Sequence, residues 1–296
     1  MVYVVVLLFS FCLLTLCNVP PFELTSQSLT LFDNQLILVG SNINFGWTYM
    51  KLDDPRRGIL SNKWTTKKLI QKETSSYEKN FVNGHDLIYI QDYQNTQSNL
   101  ETEALGNYKL IWKENSTEFT NFAVGSCGVK IARDFYFVLG GFDLTSNNPL
   151  KTVLAINTTE QSVSLHGSLT HARADHACEA VGGHIIVSGG YRNQTEKRES
   201  IVEDETYQIS TGTSETLEAS IMRFGHQLIL LTSTVWALGG SSQSEDHITK
   251  VEAYSSSSKS WSTHPQPLLS TAPGKLAVTA VPIGALDCIS GHCVSA

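Results

Sequence analysis

The chain has 296 residues, of which 41% are apolar and 17% charged, with 21 glycines and a formal net charge of −7. Average soluble domains carry about 25% charge, so the balance here falls to Ser, Thr, Asn and Gly, residues of turns and strand edges rather than helices. An acidic chain without a basic run argues against nucleic acid or acidic lipid as a partner, and the composition excludes collagen, coiled coil and general disorder.

The first element is a leader. Met1 to Phe22 holds no Asp, Glu, Lys, Arg or His, and Val2–Cys17 is an apolar run broken only by Ser10 and Thr15. That is shorter than the roughly 20 residues of a membrane-spanning helix, and it matches a signal-peptide core ending in the small-residue site Thr15-Leu16-Cys17. Residues 1–17 are therefore expected to be a cleaved signal peptide and 18–296 the mature domain. An uncleaved anchor, the one route to a membrane, is the alternative. The sequons at Asn115, Asn157 and Asn193 fit export and N-glycosylation. Four cysteines follow the leader: Cys127, Cys178, Cys288 and Cys293. The expected location is secreted, extracellular.

After the leader the chain repeats. Five β-rich runs, Leu36–Gly40, Leu87–Gln91, Phe135–Gly141, Ile185–Gly190 and Val235–Gly240, have their last apolar-run residue or first doublet glycine at positions 40, 90, 140, 189 and 239. The period is 49–50 residues. A turn signal precedes each run: Asp33-Asn34, Asn83-Gly84, Arg133-Asp134, Gly182-Gly183 and Thr232-Ser233. Such pairs suit two-residue hairpin loops. The second half of each period also aligns, through Tyr254 and Trp261 seven residues apart, Tyr207 and Ser214, Ile156 and Val163, and Trp112 and Phe119; Leu52 and Trp64 stand twelve apart in the looser first repeat. Four short strands every 50 residues is the pattern of a propeller blade. A sixth period starts at Lys275–Val281, turns at Pro282-Ile283-Gly284 and continues through Ala285–Ile289 without finishing.

Three marks resemble the kelch family: the Gly-Gly doublets at 140–141, 189–190 and 239–240, the Tyr254-to-Trp261 spacing, and the entries Arg173-Ala174-Asp175-His176 and Arg223-Phe224-Gly225-His226. The resemblance covers about residues 30–291 and is specific in repeats three to five. It implies an all-β, kelch-type β-propeller of about six blades, each a four-stranded antiparallel sheet, with the sixth incomplete. Most such propellers are interaction modules. Equivalent arginines in some of them meet acidic ligands, which makes Arg173 and Arg223, with His176 and His226 beside them, the expected binding residues. The competing reading has both arginines bonded to carbonyls of a neighbouring blade.

No cofactor is expected. The nine histidines form no H-x-x-x-H pair, no C-x-x-C occurs, and no nucleophile elbow or phosphate loop is present. Cys127 and Cys178 occupy matching places in adjacent repeats, which are usually beyond disulfide reach, and are read as buried thiols. Cys288 and Cys293 flank Ser290-Gly291 and are the expected disulfide. The expected function is non-catalytic binding of an extracellular protein or glycan through the loops 91–107, 141–151, 190–200 and 240–249. The alternative is a propeller enzyme of the copper-radical oxidase or sugar-modifying kind.

Overall fold

The computed structural model describes side chains over residues 125–132, 134–143, 148–157, 159–160, 162–192, 199–218, 222–231, 233–245 and 248–265, and the backbone of strands outside them. All its regular structure is β; no helix occurs among the described residues. The chain divides into two compact units, residues 1–76 with 275–296, and residues 77–274.

In the first unit β1 (Tyr3–Leu8) is followed by β2 (Thr25–Phe32), β3 (Gln35–Asn42), β4 (Gly46–Leu52) and β5 (Trp64–Lys68). Strands β2 to β5 form one antiparallel sheet in chain order. Leu52 pairs directly with Trp64, so the looser first repeat closes the same cross-strand pair as the others across a longer connection. In the uncleaved chain β1, inside the predicted leader, runs parallel to the last strand of the chain, Leu276–Val281. That last strand matches the expected opening of a sixth period. Its predicted continuation, with Cys288 and Cys293, lies outside the described residues.

The second unit opens with β6 (Lys79–Asn83) and β7 (Asp86–Ile90), then the short strands β8 (Glu101–Thr102), β9 (Gly106–Asn107) and β10 (Lys109–Leu110). Asn83 pairs with Asp86, so the turn begins one residue later than the Asn83-Gly84 signal suggests. Here the repeat departs from four antiparallel strands: β10 pairs with β7 in parallel. The long connection 91–108 permits this, because a parallel return needs a crossover of about a dozen residues or more. Trp112 and Phe119 lie outside the described residues.

Three four-stranded antiparallel sheets follow, each in chain order. Sheet three holds β11 (Cys127–Ala132), β12 (Phe135–Leu139), β13 (Thr152–Asn157) and β14 (Ser162–Ser168). Sheet four holds β15 (Ala177–Val181), β16 (His184–Ser188), β17 (Glu203–Gln208) and β18 (Thr213–Glu218). Sheet five holds β19 (Gln227–Leu231), β20 (Thr234–Leu238), β21 (Glu252–Ser255) and β22 (Ser260–Thr263); the strand Leu276–Val281 is β23. The first strands neighbour one another, β11 beside β15 and β15 beside β19.

Each sheet opens with the expected hairpin. Val181 pairs with His184 across Gly182 and Gly183, whose φ angles of 56° and 82° suit a two-residue turn with both central residues left-handed. In these three sheets the seven-residue offset is a cross-strand pair: Ile156 with Val163, Tyr207 with Ser214 and Tyr254 with Trp261. Apolar side chains fill the seams between successive sheets. One cluster joins Val129, Phe137, Leu139 and Val153 to Cys178, Ile185, Val187 and Tyr207. A second joins Ala177 and Ile186 to Leu228, Val235, Ala237 and Tyr254.

Candidate functional site

The glycine doublets and the Arg-x-x-His entries meet at the loop edge of the sheets. Gly189 has φ of 63°, and a Cβ there would overlap the carbonyl oxygen of Arg223 and touch the His226 ring. Only glycine fits both the backbone angle and the space. Gly140 repeats this against Arg173 and His176.

The arginines work in two directions. Each main chain binds the preceding sheet: Gly141 N–H donates to Arg173 O at 2.8 Å, and Gly190 N–H to Arg223 O at 2.8 Å. Each side chain binds its own sheet. Arg173, fully buried, donates from Nη1 to Gly189 O at 2.9 Å and from Nη2 to Glu205 Oε1 at 2.6 Å and Glu203 O at 3.0 Å. Arg223, 1% exposed, donates to Gly239 O at 3.1 Å and to Glu252 Oε2 at 2.5 Å.

Glu205 is filled on all sides. Besides Arg173 it accepts from Thr170 N at 2.7 Å, His171 N at 2.9 Å and Ser214 Oγ at 2.5 Å. Burial alone would raise its pKa, but the charge of Arg173 and these three donors outweigh burial and hold it below the usual carboxylate value. Burial pulls Arg223 down, opposed by Glu252. Burial, then the charge of Arg223, pushes His226 well below the usual imidazole value, so it is neutral at physiological pH.

This corrects the expected binding role. The carboxylate that Arg173 and Arg223 were expected to take from a ligand is supplied by the chain itself, through Glu205 and Glu252. An external anion would have to displace a buried pair, whose breaking costs about 3–5 kcal/mol. His176 and His226, 6% and 2% exposed, pack against the glycines of the preceding doublet. The alternative reading is corrected too: neighbouring-sheet bonds are made by the arginine main chain, while the guanidinium carbonyl partners are in its own sheet.

The glutamates were not singled out from sequence, although a signal existed. In the third repeat Ala123 stands where Arg173 and Arg223 align, and Leu154 stands where Glu205 and Glu252 align. Both members of the pair are lost together.

The two described cysteines form a disulfide, Cys127–Cys178, with Cα atoms 5.9 Å apart. The reading of buried thiols is overturned, and register explains why. Cys127 lies opposite Leu139, whereas Cys178 lies opposite Val187 and it is Ala177 that lies opposite Ser188. Leu139 and Ser188 each precede a doublet, so the true counterpart of Cys127 is Ala177. Cys178 is one residue out of phase. Since alternate residues face opposite sides of a strand, the two thiols meet in the seam between sheets.

Of the three sequons only Asn157 falls among described residues. It ends β13, and its Oδ1 accepts from Thr159 N at 3.0 Å and Glu160 N at 3.1 Å, a turn at the hairpin edge of sheet three. At the opposite, loop edge, Phe142, Tyr191 and Phe224 form an aromatic row with ring centroids 5.2 Å and 5.8 Å apart. The three rings pack together with Ala174 in a small apolar cluster. Among the described residues no group of three or more His, Cys, Asp or Glu side chains could hold a metal ion.

No family model matches the chain, and no curated protein matches it. Among solved structures, the one titled "Structure of YjhT" is similar: 10% identical, covering 83% of this chain and 85% of that chain, with a TM-score of 0.60. A likeness at this identity carries the fold, which is all-β and β-propeller-like.

Proposed function

We propose that this chain is an exported, N-glycosylated, kelch-type β-propeller of about six blades. Its role is non-catalytic: it binds an extracellular protein or glycan through the loops that follow the doublets. The observation that carries the reading is the Cys127–Cys178 disulfide. Disulfides persist in oxidising compartments, and this one joins a leader-like N-terminus and three sequons in pointing to the same place. The loops sit on a scaffold whose buried arginines are paired with its own glutamates, and loops on a rigid scaffold are where binding resides.

Mass spectrometry of protein collected from the medium of expressing cells tests export: the N-terminus should begin after residue 17, and Asn157 should carry sugar. Chain retained in the cytosol with the leader intact would overturn it. Binding is tested by immobilising the secreted chain and its Arg192→Glu variant, altered in a doublet loop, against extracellular fluid and a glycan array. Loss of one specific partner with the variant is the expected result; no partner for either form would refute the binding role.

A further inference from the structure

The seam between sheets four and five is built differently from the seam before it, and the difference opens a groove of about 350 Å³, within the usual ligand-pocket range of about 300–1,000 Å³. In sheet three, Phe137 and Ala155 pair in the row facing the next sheet. Their counterparts in sheet four are Ile186 and Thr206, continued to Glu215. The next row towards the hairpin edge is His184, Gln208 and Thr213. Smaller and polar side chains thus stand where the preceding seam has an aromatic ring, and they line the groove. Tyr254, Ser256 and Lys259 of sheet five face them.

Lys259 adds an independent sign. It has φ of 50°, and the matching position of sheet four, five residues after Tyr207 as Lys259 is after Tyr254, is Gly212 with φ of 70°. The repeat uses glycine here, yet sheet five holds a lysine in a conformation that costs an L-residue about 1–2 kcal/mol. Local strain of this kind collects at functional sites, and this one places an ammonium group on the groove.

We infer that this groove binds one uncharged saccharide unit. Thr206 and Ser256 offer hydroxyls, and Thr213, whose hydroxyl is shared with Thr211, and Gln208, whose Nε2 donates to Ser210 Oγ, keep further donor and acceptor capacity, which suits a ring of hydroxyls. Glu215 and Lys259 set opposite charges on the same groove, so its lining carries no net charge that would favour an anionic or a cationic ligand. The groove opens at the hairpin edge, away from the doublet loops, and stands apart from the loop-binding proposal.

Saturation-transfer NMR on the secreted, folded chain with glucose, galactose, mannose and N-acetylglucosamine tests the assignment. At least one of these should bind. Lys259→Gly and Thr206→Val should each weaken it about tenfold, the loss of one hydrogen bond to a charged or buried group. Lys259→Gly should unfold at the same or higher urea concentration, since it restores the residue the repeat uses, which separates lost binding from lost structure. Absence of binding by all four sugars, unchanged affinity in both variants, or binding of N-acetylneuraminate or an alkylamine in place of the neutral sugars would overturn it.

Discussion

The two seams that join sheets three, four and five follow one plan with different walls. Between sheets three and four the facing rows are apolar: Val129, Phe137 and Val153 meet Cys178, Val187 and Tyr207. A disulfide joins the first strands, and His166 bridges Tyr207 through a 2.6 Å hydrogen bond while lying 4.8 Å from the Phe137 ring. Between sheets four and five the corresponding positions are Glu179, Ile186 and Asp204, by register with Val129, Phe137 and Val153. The shared part is the arginine clamp. A seam can thus take in buried carboxyl groups beside its apolar cluster without changing the fold, because the clamp sits at the loop edge and leaves the rest of the wall free to vary.

The largest expected effect tests the shared part. Arg173→Met and Arg223→Met each strand a buried glutamate and should cost about 3–5 kcal/mol in urea unfolding. The double change Arg173→Ala with Glu205→Leu copies the third repeat and should recover most of that loss. A cost confined to one arginine would show that the clamp is not common to both seams.

The next effect belongs to the apolar seam alone. Cys127→Ser or Cys178→Ser should lower stability by about 2–4 kcal/mol, and dithiothreitol should then destabilise the parent by more than it does the variants. Equal sensitivity of parent and variants to reductant would place the constraint elsewhere.

The last effect belongs to the seam between sheets four and five and is set by pH. Burial pushes Glu179 up to about 7, against backbone hydrogen bonds from Ala180 and Leu230. Burial also raises Asp204 to about 6, opposed by Gly189 N–H, the charge of Arg173, and the side chains of Ser188 and Trp261. Both folded values lie above the ordinary ones of 4.5 and 3.8. Their contribution to stability is therefore complete below those ordinary values and is lost as pH rises through about 6 and about 7. Urea unfolding should show a decline of up to about 4 kcal/mol between about pH 5 and about pH 8, about 1.4 kcal/mol per pH unit for each group until its folded value is passed. Glu179→Gln should remove its share of the slope; an unaltered slope would assign it to other groups.

What the sequence revealed was whatever the backbone itself demands. The doublets were legible because glycine is needed where φ is positive and a neighbour's carbonyl stands close, as at Gly189. The Tyr254–Trp261 offset was legible because two residues opposed across a short turn keep a fixed spacing. The disulfide was hidden because period alignment matched Cys127 to Cys178, and only strand register reveals the one-residue phase difference that turns the thiols together. The role of the arginines was hidden for a related reason. Glu205 lies 32 residues beyond Arg173, on a strand whose facing cannot be read until its partners are placed. Their joint replacement by Ala123 and Leu154 was in plain view but carried meaning only once Arg and Glu were seen in contact. The groove needed three dimensions altogether, since its walls come from different repeats.

The bond from each doublet to the next arginine has a consequence for how the chain is made. Gly141 and Gly190 find their acceptors on Arg173 and Arg223, more than thirty residues further along. While the chain emerges from its N-terminal end, each of these sheets keeps an amide waiting on a stretch that has not yet appeared. A sheet is finished only by its successor, so these repeats lock in sequence, like shingles each nailed down by the next course laid over it.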